Sequence, residues 1–126
     1  MREFVRRNLQ WMLGPRSLSR TWPAMAVLGP LAFNVPVESF VAQIHAILAM
    51  EDTLREELAA VTAPTLVLCG AHDPVTPVKR HTFMAELIPY AKLVVLENAG
   101  HFPTLETPAE ATQALRDWMH QPLVLQ

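Results

Sequence analysis

The sequence is short of several things, and each shortage excludes something. It has one cysteine, Cys69, among 126 residues. An internal disulfide is therefore impossible, and the usage fits a reducing compartment, so the expected location is cytoplasmic. No apolar run approaches the roughly 18 residues of a membrane span, so the chain reads as a soluble protein with no membrane partner. Charged residues make up only 17% and the net charge is −2, which gives no reason to expect a nucleic-acid partner. The four glycines stand at 14, 29, 70 and 100 and the three serines at 17, 19 and 39. None of Ser17, Ser19 and Ser39 has a glycine two residues away on both sides, so there is no G-x-S-x-G turn to present a nucleophile. His45, His72, His81, His101 and His120 show no H-x-H or H-x-x-x-H spacing, which argues against a metal site; no cofactor motif is present.

What remains is apolar and globular. Hydrophobic residues reach 51%, enough for one packed domain and too many for disorder. Charge is unevenly spread: residues 1–50 sum to +3 and residues 51–126 to −5. Arg2, Arg6 and Arg7 before Leu9, Trp11, Met12 and Leu13 have the outline of a targeting start. Gln10 interrupts the apolar stretch and Gly14-Pro15 closes it, so an amphipathic helix with a solvated arginine face is the better reading.

Organisation runs from helical to alternating. Residues 3–13 read as a helix stopped at Gly14-Pro15. Residues 14–36, broken by Pro15, Pro23, Pro30 and Pro36, read as mostly loop. Val37, Phe40, Val41, Ile44, Ile47 and Leu48 follow helical spacing, and Asp52 can cap a short helix to about Ala60. Thr65–Cys69 and Leu93–Leu96 are apolar, β-branched runs expected as strands covered on both faces. Between them Thr76 is expected to cap, and Pro77 to start, a helix that buries Met84, Leu87 and Ile88 and stops near Pro89. Thr107-Pro108-Ala109-Glu110 is a capping box for a last helix burying Ala111, Ala114, Leu115 and Trp118. The unit is βαβα with parallel strands.

Two patches carry the chemistry. Each strand run ends in a glycine, Gly70 or Gly100, and then delivers an ionisable residue, Asp73 or His101, 28 residues apart. In open parallel sheets functional groups gather past the C-terminal ends of the strands. An Asp that orients a His is two-thirds of a nucleophilic triad. The bland alternative is that Asp73 caps the Asp-Pro turn and His101 is a loop residue.

The stretch Pro64–Trp118 closely resembles the C-terminal part of α/β-hydrolase enzymes, through Pro64-Thr65-Leu66-Val67-Leu68, Gly70, Asp73, Pro77, Gly100-His101, Glu106 and Pro108. Pro36–Val61 is similar to the helices leading from the lid into this strand, and residues 1–22 resemble the end of the lid. The resemblance implies a partial α/β-hydrolase fold: two parallel strands with flanking helices, preceded by a helical lid segment. It divides the chain into a lid-like segment, 1–60, and a βαβα core part, 61–126. It implies hydrolysis of a small-molecule ester or lactone, as in carboxylesterases and enol-lactonases, with Asp73 as the orienting acid and His101 as the general base. It also implies an elbow serine and an oxyanion-hole loop that this sequence does not hold. The chain is thus expected to be a truncated product, inactive alone, that self-associates or meets a complementing N-terminal half. The alternative is a non-enzymatic partner docking through its exposed sheet edge. Cys69, inside a strand, reads as core filler rather than nucleophile. His72 borders Asp73 as a mouth or a solvated loop residue; His45 reads as a core or surface residue, and His81 and His120 as exposed helix residues. Trp11, Trp22, Phe33 and Phe40 either line a lid pocket or simply pack.

Overall fold

A computed structural model describes residues 8, 10–20, 23–24, 27–28, 35–49 and 54–121. Its elements are helices α1 (Pro15–Arg20), α2 (Val37–Leu48) and α3 (Leu54–Ala59), strand β1 (Thr65–Gly70), α4 (Val78–Leu87), β2 (Ala91–Leu96), a single turn α5 (Pro103–Glu106), and α6 (Pro108–Met119). Among the described residues the sheet has two strands, paired in parallel, with Thr65 opposite Ala91 and Gly70 opposite Leu96. Thus α4 is the crossover, and both strands end at one level. Both α4 and α6 lie against the two strands. The anchoring cluster is Leu96, Ala99 and Ala111, with Leu68 and Val94 partly buried against it.

Several local expectations need correcting. Residues 10–12 are helical and Leu13 bends, but most of the 3–13 helix and the Asp52 cap lie outside the described residues. Pro15 does not open a loop; it is the first residue of α1, where its fixed φ suits a helix start and its missing N–H costs nothing. The strands are less covered than their composition suggests. In β1 only Val67, Cys69 and Gly70 are buried, and in β2 only Leu96. Two strands under α4 and α6 have too little neighbouring sheet to exclude water from both faces. Neither proposed cap forms. Pro77 itself precedes α4, and Thr76 has turned toward Asp73. Thr107 precedes α6 but donates its hydroxyl to Pro103 O at 3.0 Å, closing α5 instead.

Helix α2 has its predicted period but little cover. It has no buried residue, and Ile47 and Leu48 are 57% and 77% exposed. At the other end of the fold, Ala111 of α6 is buried, Ala114 and Trp118 are half-buried and Leu115 is exposed. The Arg55 guanidinium stacks 4.4 Å over the Phe83 ring and ties α3 to α4. Among the described residues no helix is long and apolar enough to cross a membrane.

Candidate functional site

The two strand ends are drawn together by close backbone approach. A Cβ at Gly70 would lie 2.2 Å from Gly100 O and 2.4 Å from Ala99 O. Only glycine lets the loop after β2 lie across the end of β1. The loops are then zipped: Ala71 N–H donates to Leu96 O and His72 N–H to Ala99 O, both at 3.0 Å. This fixes where Asp73 and His101 leave the backbone.

Asp73 is buried, its side chain 4% exposed. Oδ1 accepts the N–H groups of Val75 at 2.8 Å and Thr76 at 3.0 Å. Oδ2 accepts the Thr76 hydroxyl at 2.6 Å and lies 2.9 Å from His101 Nδ1. The turn-capping and histidine-holding readings are therefore both true, one on each oxygen. Burial pushes the Asp73 pKa up. Hydrogen bonds from the Thr76 hydroxyl, from His101 and from the Thr76 and Val75 N–H groups outweigh it, and the carboxyl titrates below its ordinary value. An ionised carboxylate only accepts, so His101 Nδ1 is assigned the proton. Nε2 is left with its lone pair and has no partner among the described residues. The ring is 27% exposed and meets Phe102 edge-on at 5.3 Å. A half-exposed imidazole held in one tautomer by a buried carboxylate can take a proton from a hydroxyl at Nε2 and return it to a leaving group.

Glu106 is the residue whose work the sequence reading missed. It is 5% exposed. Oε1 accepts Gly100 N–H at 2.9 Å and Phe102 N–H at 3.0 Å, and Oε2 accepts Gly14 N–H at 2.7 Å. The available signal was a carboxylate set between the apolar Leu105 and the helix-starting Thr107-Pro108. Thr76, expected as a cap, instead holds Asp73.

The remaining residues are quieter. Cys69 is buried; burial first, then the Asp73 charge, raises its pKa, so it is a core thiol and not a thiolate. The His72 ring is exposed, as are His45 and His120, the last with Nδ1 2.7 Å from Arg116 O. His81 is half-buried rather than exposed, with Nε2 3.1 Å from Thr76 O. Trp11 is exposed and Phe40 half-buried; Trp22 and Phe33 lie outside the described residues. Ser17 is buried and Ser39 exposed. A cavity of about 210 Å³ opens beside Glu106, lined by Arg16, Ser17, Arg20, Asn98 and the start of α6, and neither Asp73 nor His101 reaches it. Among the described residues no three His, Cys, Asp or Glu side chains are grouped to hold a metal ion.

Comparison with known proteins gives consistent results. A family model described as the alpha/beta hydrolase family matches residues 2–114. The pimeloyl-acyl-carrier-protein methyl ester esterase of Legionella pneumophila is 43% identical over 51 residues, 40% of this chain and 21% of that protein. The 3-oxoadipate enol-lactonase 2 of Acinetobacter baylyi is 38% identical over 65 residues, 52% of this chain and 24% of that protein. Among solved structures, a thermophilic esterase from Thermogutta terrifontis aligns with 92% of this chain and 43% of its own at 31% identity, with a TM-score of 0.75. The chain therefore spans less than half the length of each of these relatives.

Proposed function

Because the chain belongs to the alpha/beta hydrolase family, we propose that it carries the acid–base half of an ester or lactone hydrolase, with His101 as general base and then general acid and Asp73 as its orienting carboxylate. The observation that carries this reading is the 2.9 Å contact between His101 Nδ1 and Asp73 Oδ2, past the ends of two parallel strands. In this reading Nε2 takes the proton of a nucleophilic hydroxyl as that oxygen bonds the acyl carbon. The imidazolium formed is held by Asp73 and gives its proton to the departing alcohol oxygen. Water, deprotonated by the same Nε2, then bonds the acyl carbon; the bond to the nucleophile's oxygen breaks, the imidazolium returns its proton to that oxygen, and the acid leaves. The hydroxyl and the oxyanion hole are not supplied by this sequence, which has no G-x-S-x-G. This reading takes residues 1–60 as a lid-like segment and 61–126 as the core part, with the cytoplasm, to which the single cysteine is suited, as the place of work. The esterase and lactonase relatives support the substrate class of small esters and lactones.

A second reading is favoured by the same missing turn and by the two-stranded sheet. In that reading the chain is inactive alone and docks through the side of β1 that has no paired strand among the described residues.

One experiment tests both. The chain alone, and the chain joined to the nucleophile-bearing half of a related esterase, are assayed with p-nitrophenyl esters and a fluorophosphonate label. The chain alone is expected to be inert and unlabelled. The joined protein is expected to turn over ester, with Asp73→Asn and His101→Gln each lowering kcat by about 10⁴-fold. An active joined protein indifferent to both substitutions would overturn the first reading. Stoichiometric labelling of Ser17, Ser19 or Ser39 in the chain alone would overturn the second.

A further inference from the structure

We propose that Glu106 is a positioning residue for His101, holding the imidazole in reach of Asp73 by fixing the backbone on both sides of it. The proposal rests on the reading of His101 as the base, and asks what keeps that base in place.

Three successive N–H groups, those of Gly100, His101 and Phe102, are all spoken for. Gly100 and Phe102 donate to Glu106 Oε1 at 2.9 and 3.0 Å, and His101 donates to Met12 O at 2.7 Å. The other Glu106 oxygen takes Gly14 N–H at 2.7 Å, so one carboxylate fastens the segment 12–14 to the histidine loop. The fastening is tight. A Cβ on Gly100 would lie 2.4 Å from Met12 O and 2.6 Å from Gly14 N, so the two backbones approach too closely for any side chain between them. Among the described residues the His101 side chain otherwise has a single hydrogen bond, to Asp73. One bond sets a distance but not a ring position; the backbone must supply the rest. Charge-assisted bonds to a buried carboxylate are suited to that, being shorter and stronger than neutral ones.

The stereochemistry of the clamp makes a sharp variant available. Glutamine has the same shape but only one acceptor oxygen, and its NH₂ donates. Whichever way it turns, Glu106→Gln sets a donor against at least one of the three N–H groups. The test is NMR on the full chain, following the His101 Nδ1–H proton and the amides of Gly100, His101 and Phe102. In the unaltered chain, the Nδ1–H tautomer and slow exchange of the three amides, comparable with the β1–β2 ladder, are expected. In Glu106→Gln, exchange of His101 Nδ1–H should rise about tenfold or more, the scale of one lost charge-assisted bond, while the ladder amides stay protected. An unchanged His101 signal in that variant overturns the proposal. If the variant does not fold, amide exchange in the unaltered chain decides: protection of all three amides supports the clamp, and free exchange overturns it. An unaltered chain without the Nδ1–H tautomer fails the dyad reading instead, and the three amides then judge the clamp by themselves.

Discussion

Asp73 accepts four hydrogen bonds while nearly excluded from water, and its two oxygens are divided between the turn and the histidine. That division has a pH signature. The folded carboxyl titrates below its ordinary value, so folding favours the ionised form. The stabilisation is complete above the unfolded carboxylate range, near pH 4, and is lost as pH falls from there through the lower folded value. Urea melts of the unaltered chain and of Asp73→Asn between about pH 7 and 2.5 should therefore converge toward acid, with the steeper loss in the unaltered chain; parallel curves would contradict the assignment. At this scale the sequence was partly readable. Asp73 and His101 announced themselves because each follows an apolar run and a glycine. Glu106 did not, because its partners are backbone N–H groups, one of them 92 residues away, and no side-chain pattern marks them. Thr76 was misread because threonine before proline serves a cap or a neighbouring carboxylate equally well.

Among the elements, period was readable and burial was not. The spacing of Val37, Val41, Ile44 and Leu48 placed α2, yet all four are exposed. Periodicity reports which face is apolar; what covers that face depends on the rest of the molecule. The same holds for β1 and β2, whose runs suit a sheet covered on both sides. The caps before α4 and α6 failed for a related reason, since Thr76 and Thr107 found better partners in three dimensions. A pair of substitutions separates apolar from buried. Leu96→Ala, in the cluster with Ala99 and Ala111, should cost about 2–5 kcal/mol in chemical denaturation. Ile47→Ala, on the exposed face of α2, should change stability by less than about 0.5 kcal/mol. Equal losses would mean that α2 is covered in solution.

Among the described residues no strand pairs with the side of β1 away from β2, and α2, nearby in sequence, exposes apolar residues. Unpaired strand edges invite pairing with another chain. Light scattering at micromolar concentration and above is expected to find self-association, with a broad thermal transition; a strict monomer with a sharp cooperative melt would show that the chain closes its own core. The meeting of Gly14, Gly70 and Gly100 has a consequence in time rather than in space. Contacts between distant parts of a chain form slowly, because the intervening chain must be ordered before they are rewarded. Gly14 N–H and Glu106 are 92 residues apart. Strand pairing through α4 is far more local, so the βαβ unit can assemble first. The imidazole's final seat must then be among the last things this chain makes, finished only when Met12 and Gly14 return to a loop synthesised long after them.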